Sequence, residues 1–179
     1  MGHPQAVARL RPCDASFVTA LAQISANGAT YAVRRATRGD VAAIVDLIAS
    51  DQIGSPRDGG DLAPYERAFD AIDADPAQLL VVVTDVAGAV VATLQLTAIP
   101  GIARGGATRG QIEAVRVRED LRSQGIGGAL IAWAVDEARR RGCGLVQLTS
   151  NKARADAHRF YGRLGFTATH EGFKLRVAD

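Results

Sequence analysis

Apolar residues recur every three or four positions in four stretches of the chain, which is the spacing of one helix face. The clearest case runs from Val41 to Ile48, just after Thr37 and Asp40, which are spaced as in a capping box. Residues Arg139 to Arg141 close another of these stretches, where cations suit the helix dipole. The pattern predicts helices over 40–50, 65–74, 126–141 and 153–164.

Other stretches are rich in β-branched residues and predict strands. The runs 79–86 and 89–99 are separated by Ala87-Gly88, so we expect them to form a hairpin. Segments 51–64 and 100–110 are rich in Gly and Pro and predict loops. The predicted strands are 31–37, 79–86, 89–99, 111–119, 145–151, and one or two within 166–177.

The order of these elements predicts one domain over residues 31–179. The hairpin makes part of the sheet antiparallel, whereas the strand–helix–strand unit near the end implies a parallel crossover. A mixed sheet with helices on both faces fits this order. We expect residues 1–30 to be an N-terminal extension that packs loosely or is disordered; a secretion signal is the alternative, although Asp14, Ser16 and Gln23 interrupt its apolar part.

The amino-acid composition and net charge limit the classes of protein to which this chain can belong. The 179 residues include 47% hydrophobic and 22% charged side chains, with a net charge of +2, which is ordinary for a soluble domain. Such a small charge gives no argument for nucleic-acid or membrane binding. Cys13 and Cys143 match no metal spacing, so we expect free thiols in a reducing cytoplasm and no metal site.

The stretch RSQGIGGALIAW (122–133) places three glycines where a helix should begin. Glycine costs roughly 1 kcal/mol against alanine in a helix interior, so another requirement must favour it here. Backbone N–H groups at a helix N-terminus attract phosphate, and glycine lets a ligand approach them closely. The sequence fits neither the P-loop nor the dinucleotide fingerprint. A tight turn with close helix–sheet packing is the alternative.

The surrounding motifs resemble those of the GNAT N-acetyltransferase superfamily. Arg122-x-x-Gly125-x-Gly127 matches its signature, the strand IEAVRVRED precedes it, and LTSNKARADAHRFYGRLGF (148–166) is similar to its second hallmark. The resemblance implies an α/β (α+β) fold with a mixed, mostly antiparallel sheet. That sheet would have six to seven strands, splayed central strands, and about four helices on both faces.

The resemblance also implies acetyl-CoA as the co-substrate. Main-chain amides of the glycine turn would hold its pyrophosphate, with Arg122 as a charged donor beside them. Val115 and Val117 would pair through their main chains with the pantetheine arm, and the amide of Asn151 would reach the same arm. The implied cofactor-binding residues are Val115, Val117, Arg122, Ser123, Gln124, Gly125, Ile126, Gly127, Gly128, Asn151 and His158.

Four residues are candidates for the chemistry. The N–H of Val115 would stabilise the oxyanion of the tetrahedral intermediate. Tyr161 would be the general acid for the leaving thiolate, because a phenol stays protonated at neutral pH; a core aromatic is the alternative. Glu113 would be the base, buried in an apolar strand and acting directly or through water; a solvent-facing glutamate or a structural ion pair are alternatives. His158 would contact CoA or relay a proton, or have no role.

The resemblance implies transfer of an acetyl group to a primary amine, and the long segment 51–64 favours a small molecule over a protein or peptide. Seven acidic residues within 51–75 would suit a cationic amine, or simply form a solvated face. Six cations around the implied CoA site would suit a polyanionic cofactor: Arg116, Arg118, Arg122, Lys152, Arg154 and Arg159. A non-catalytic CoA-binding regulatory module is the alternative function. Because many relatives are dimers, a homodimer is also open.

Overall fold

The computed structural model describes residues 19–50 and 60–177, so the predicted loop 51–64 lies mostly outside the described residues. Its strands are β1 (Ala20–Ala26), β2 (Ala29–Arg35), β3 (Gln78–Thr84), β4 (Val90–Ile99), β5 (Thr108–Val117) and β6 (Cys143–Leu148). Its helices are α1 (Val41–Ala49), α2 (Ala63–Ala74), the single turn α3 (Ala103–Gly106), α4 (Ile126–Arg140) and α5 (Ala155–Arg163).

The six strands form one sheet in the order β1-β2-β3-β4-β5-β6. Every neighbouring pair is antiparallel except β5 and β6, which are parallel. The chain crosses from β5 to β6 through α4, as a parallel connection requires. The predicted hairpin, the parallel crossover and the mixed, mostly antiparallel sheet are therefore confirmed.

Helices cover both faces of the sheet, as predicted. On one face, α1 and α2 pack through Val41, Ile44 and Phe69 against Leu80 and Val82. On the other face, α4 packs against the opposite side chains of the same strands. That second and larger cluster has Leu79, Val81, Val83, Leu94, Leu96, Ile126, Leu130, Ile131 and Ala134 at its centre. The alternation of β3 between the two clusters explains its continuous apolar run, since both of its faces are buried.

The first strand lies inside the segment that the sequence analysis assigned to an N-terminal extension. In β1, Ile24 and Ala26 point into the larger core, whereas Gln23 and Ser25 are exposed. Asn27 and Gly28 turn the chain into β2 with φ values of +48° and +76°. An Asn-Gly pair of this kind is the preferred two-residue hairpin turn. The ordered domain therefore includes residues before Tyr31.

Two other expectations about elements were wrong. The segment predicted as a loop over 100–110 ends earlier, because β5 already begins at Thr108. No strand forms among the described residues of the predicted final strands, 166–177, and most of their side chains are exposed. Within the described parts of the chain, no helix is long and apolar enough to cross a membrane.

Candidate active site

The glycine turn leaves the start of α4 without any side-chain cap. Ser123 and Gly125 both adopt left-handed backbone conformations, with φ values of +63° and +90°. Gly125 is the residue before the helix, and no side chain accepts a hydrogen bond from the first helical amides. The first internal bond of the helix runs from the Ala129 N–H to the Gly125 carbonyl. The amides of residues 126–128 precede that bond and are the donors of a typical helix N-terminus.

Side chains on the same turn fasten it to the sheet. The Arg122 Nε donates to the Val117 carbonyl at the end of β5, at 3.2 Å. The Gln124 Nε2 donates to the Asp120 carbonyl at 2.9 Å. The Asn27 Nδ2 reaches the Gln124 Oε1 at 3.4 Å. These hydrogen bonds attach the turn to β5 on one side and to the β1–β2 hairpin on the other. Because they are made by side chains, the main-chain amides of the turn stay available to a ligand.

The folded protein itself requires a glycine at only one of the three positions. Gly125 needs its positive φ, which other residues rarely adopt. A Cβ on Gly127 would stand 3.5 Å from the ring of Phe160, and one on Gly128 would stand 3.9 Å from Leu164. Both are ordinary van der Waals distances, so neighbouring side chains do not exclude alanine. The alternative of close helix–sheet packing therefore does not account for Gly127 and Gly128.

The sheet opens directly beside this turn. The parallel pairing of β5 with β6 ends at Ile112 opposite Leu148, although β5 continues to Val117. In the pair before this last one, the side chains are also joined, because the Gln147 Nε2 donates a hydrogen bond to the Gln111 Oε1 at 2.8 Å. Residues 113–117 of β5 therefore have no partner in β6, which ends at Leu148. The resemblance implied splayed central strands, whereas this gap lies at the last pair of the described sheet.

A β-bulge shapes the β5 side of the opening. The register with β4 passes from Gln95 opposite Glu113 to Thr93 opposite Arg116, so Ala114 and Val115 together face one β4 residue. Ala114 has a φ of +51°, a conformation that costs an alanine roughly 1–2 kcal/mol. Bulges of this kind redirect the backbone and are common next to active sites. Val115, whose amide the sequence analysis selected, is the second residue of this bulge.

Tyr161 lies on α5 at the edge of the larger core. Its ring makes edge-to-face contacts with Phe160 and Phe166, at centroid distances of 5.1 and 5.9 Å. Burial raises the pKa of the Tyr161 phenol, and the charges of Arg116 and Arg154 act in the opposite direction. The phenol is therefore protonated at neutral pH, as a proton donor must be. Tyr161 makes the core contacts of the alternative interpretation and also keeps its proton, and its role as general acid stays a prediction.

Glu113 differs from the expectation of a buried carboxylate. It is exposed on β5, since its neighbour Ile112 is the residue of this pair that points into the core. The apolar run around Glu113 suggested burial on both faces, but β5 is covered more fully on one side only. A catalytic role for Glu113 stays a prediction, and it now concerns a solvent-accessible carboxylate.

Asn151 and His158 meet each other between β6 and α5. The Asn151 Oδ1 accepts a hydrogen bond from the Ala153 N–H at 2.9 Å. The His158 Nε2 lies 3.0 Å from the Asn151 carbonyl oxygen. Both side chains therefore shape the turn that leads into α5. Their predicted contacts with CoA stay predictions.

Ion pairs involve several of the charged residues that the sequence analysis noted in the acidic segment 51–75 and around the implied CoA site. Arg38 pairs with Glu66 and Asp70, and Arg35 pairs with Asp73. Three acidic residues of this segment therefore lie on a solvated face and share two arginines, and a role of the segment in binding a cationic amine stays a prediction. Among the predicted cations, Arg118 pairs with Asp120, Lys152 with Glu171 and Arg159 with Asp156.

Sequence reasoning missed the importance of Ala114 and the placement of two arginines. Nothing about an alanine signals a left-handed conformation, so the bulge could not be read from residue type. Arg116 and Arg154 were noted only as part of a general positive bias, yet their charges both act on the Tyr161 phenol. The Arg116 Nη1 also donates to the Val115 carbonyl at 2.8 Å, next to the bulge.

The residues present fit a coenzyme A molecule. The uncapped α4 amides suit a diphosphate. The carboxyl end of β5, which pairs with β4 but not with β6, suits an extended arm that bonds along a strand edge. The turn and the sheet opening lie at the same end of β5, so one long ligand can reach both.

Comparison with known proteins identifies the family. The model of the Acetyltransferase (GNAT) family matches residues 42–166. A solved structure from Bacillus halodurans, described as a transcriptional regulator, is 40% identical with a TM-score of 0.78, covering 82% of this chain and 99% of that one. The chain therefore belongs to the Acetyltransferase (GNAT) family.

Curated relatives match over shorter stretches. An aminoalkylphosphonate N-acetyltransferase of Salmonella typhimurium is 45% identical over 64 residues, which is 36% of this chain. An uncharacterized N-acetyltransferase of Bacillus subtilis, YhdJ, is 51% identical over 57 residues, or 31% of this chain. The matches span 42% and 40% of the lengths of these two relatives.

Proposed function

We propose that this protein is an acetyl-CoA-dependent N-acetyltransferase that acts on a primary amine of a small molecule. The observation that carries the proposal is the uncapped start of α4 beside the opening between β5 and β6. Membership of the family and the names of the two curated relatives support the same reaction. When bound, acetyl-CoA supplies an acetyl group activated as a thioester.

The binding role divides between main chain and side chains. The amides of residues 123–128 hold the diphosphate, and Gly127 and Gly128 carry no side chain that could crowd its oxygens. Arg122 adds a cation over the end of β5. The main chains of Val115 and Val117 bond the extended arm where β6 has turned away. Asn151 and His158 stand at the opposite side of the opening, on the segment that follows β6.

The chemical role falls to three residues. The Val115 N–H, which lies in the bulge, donates a hydrogen bond to the acetyl carbonyl oxygen as negative charge develops there. Glu113 takes a proton from the amine, directly or through water, which its exposure permits. Tyr161 holds a proton at its phenolic oxygen and donates it to the leaving sulfur.

Among small amines, those that carry an anionic group are the first to test. Arg116 and Arg154 place positive charge at Tyr161, which favours an acceptor with an anionic group. The relative that acts on aminoalkylphosphonates provides a concrete first substrate class. Guanidinium groups bind phosphonate and carboxylate oxygens with charge-assisted hydrogen bonds.

The test is thiol release from acetyl-CoA with a panel of amines, using the purified chain. The panel contrasts aminoalkylphosphonates and amino acids with diamines and with a lysine peptide. We expect turnover with a small amine and its loss in Tyr161→Phe. Turnover with the peptide alone would move the proposal to a protein acceptor. Tight acetyl-CoA binding without turnover on any amine would support a non-catalytic regulatory module instead.

A further inference from the structure

Polar side chains cross the sheet on the face that carries α1 and α2. On β4, Leu96 is fully buried on the α4 side, so its neighbours along the strand, Gln95 and Thr97, point to the opposite face, where both are half-buried. On β5, Ile112 points to the α4 side, so Glu113 shares the face of Gln95. This part of the sheet is therefore lined by hydrogen-bonding groups.

Gln95 and Glu113 lie directly opposite each other in the antiparallel pairing of β4 with β5. Side chains in this relationship are neighbours, with Cβ atoms about 4.5–5.5 Å apart. A glutamine beside a carboxylate is expected to turn its N–H groups toward it, because charge-assisted hydrogen bonds are the stronger ones. No such bond forms here, and within the described parts of the chain no group donates a hydrogen bond to the Glu113 carboxylate.

The side-chain N–H of Gln95 is used on the other neighbouring strand. The Gln95 Nε2 donates to the Gln78 Oε1 at 3.0 Å, and the Thr97 hydroxyl donates to the same oxygen at 2.7 Å. These two bonds occupy both lone pairs of the Gln78 oxygen and fix the Gln95 amide with its nitrogen toward β3. The Gln95 Oε1, at the other end of the amide, accepts no hydrogen bond from any described residue.

The result is a pair of acceptors on adjacent strands without a donor of their own. An amide oxygen and a carboxylate side by side lose their hydrogen bonds with water when a ligand covers them, so the ligand must supply donors. A primary ammonium group carries three N–H donors and a positive charge, and it matches both acceptors at once. A hydroxyl group offers one donor and no charge, and it satisfies them less well.

We propose that the Gln95 Oε1 and the Glu113 carboxylate together bind the ammonium group of the acceptor, and that Gln78 and Thr97 position the Gln95 amide for this contact. The inference rests on the proposed function and adds to it a residue that selects protonated amines. Val115 lies two residues beyond Glu113, across the bulge, so the amine is held on the same stretch of β5 as the acetyl carbonyl. When the ammonium passes a proton to Glu113, the neutral amine still has an N–H for Gln95.

A matched pair of ligands isolates this contact. Aminoethylphosphonate and ethylphosphonate differ only in the amino group, and calorimetric titration of each into the purified chain with saturating CoA gives two Kd values without turnover. We expect the parent to bind the amine at least about tenfold more tightly, as a hydrogen bond to a charged group implies. Gln95→Leu keeps the side-chain size and removes the oxygen, and it should reduce this ratio to below about threefold. A purely structural effect would change both Kd values by the same factor.

Two further variants frame the result. Glu113→Gln, at an exposed position, should also lower the ratio of the two Kd values. Gln147→Leu is the matched control, because Gln147 is half-buried and likewise donates one cross-strand hydrogen bond, to Gln111. It should keep the ratio of the parent.

The possible outcomes separate this inference from the proposed function. A parent that does not prefer the amine, or a Gln95→Leu variant that keeps the preference, would overturn the ammonium subsite. An equal loss of preference in Gln147→Leu would overturn it as well. Thiol release tests the reaction on its own: a parent that prefers the amine in binding but releases no thiol with any amine would support the subsite and contradict the proposed function.

Discussion

The ring of Phe160 lies 3.5 Å from the point that a Cβ on Gly127 would occupy, which is an ordinary contact distance. The folded chain therefore tolerates a methyl group at the start of α4. Stability and ligand binding consequently make opposite demands on this one residue. Glycine is the poorer helix former, yet it leaves the amides of the turn open to an approaching oxygen.

The variant Gly127→Ala should show the effects on stability and on CoA binding separately. We expect the free energy of unfolding to stay unchanged or to rise by up to about 1 kcal/mol. We expect the Kd for CoA to increase at least about tenfold, equivalent to about 1.4 kcal/mol. Urea unfolding and calorimetric titration measure the two effects.

Gly162→Ala is the matched control for this change. Gly162 also lies in a helix, and a Cβ there would meet nothing within 4 Å. This variant should gain similar stability and bind CoA as the parent does. If Gly127→Ala bound CoA equally well, the close approach of the diphosphate to this turn would be wrong.

Tyr161→Phe should lower kcat by about 100-fold, the lower range of general acid catalysis. Acetyl-CoA binding should change by less than about twofold, because the ring contacts with Phe160 and Phe166 are retained. The appropriate measurement is kcat under saturating substrates, with the Kd determined separately. Equal losses in binding and turnover would indicate a packing role for the ring.

The pH profile gives an independent test of Tyr161. Burial raises the pKa of the phenol above its ordinary value of about 10, so the proton is retained through neutral and mildly alkaline pH. Any loss of kcat caused by deprotonation of Tyr161 must therefore begin above that ordinary value. A fall in kcat near neutral pH that Tyr161→Phe abolishes would contradict this assignment.

Glu113→Gln should lower kcat by about 100-fold at neutral pH if the carboxylate removes the amine proton. Since Glu113 is exposed, the substitution should leave the melting temperature nearly unchanged. Glu119→Gln, another exposed glutamate just beyond β5, is the control. Similar activities for both variants would assign proton removal to water alone.

The pair of Arg34 and Asp40 controls acid stability. Both Asp40 oxygens accept hydrogen bonds from the Arg34 guanidinium, at 2.7 Å each. Burial opposes ionisation of Asp40, but the donors Arg34 and Thr37 outweigh it and lower the pKa of this carboxyl. The pair therefore stabilises the fold above the ordinary Asp pKa of about 4, and this contribution disappears as the pH falls through the lowered value.

Asp40→Asn should accordingly reduce the unfolding free energy at neutral pH by about 2 kcal/mol. Its stability should also fall less steeply than that of the parent when the solution is acidified. Urea unfolding at several pH values measures both slopes. Parallel slopes for the two proteins would show that other carboxylates govern acid unfolding.

The sequence predicts elements well where a buried face imposes a clear period. The helices α1 and α4 and the strands β3 and β4 were found because each presents long apolar residues to a core. Strand β1 was missed because its inward positions include small alanines, and its Asn27-Gly28 turn was not used. The predicted final strands have the right alternation, but no described part of this single chain covers their apolar face.

The candidate site likewise has some features that the sequence predicts and others that it does not. The glycine turn was visible because glycine before an apolar helix contradicts helix propensity. The bulge at Ala114 and the end of pairing at Ile112 depend on how strands register in three dimensions, which residue type does not encode. The exposure of Glu113 depends on which face of β5 the helices cover, and that is likewise a property of the assembled sheet.

The early end of pairing between β5 and β6 has a mechanical consequence. The strand β6 pairs with β5 from Cys143 to Leu148, but the segment that follows Leu148, with α5, is not joined to β5 by ladder pairing. A ligand lying beside the carboxyl end of β5 would contact both this segment and the main body. The unliganded protein should then lose α5 and the segment around it at a lower temperature than its hairpins, and bound CoA should merge the two events into one melting step.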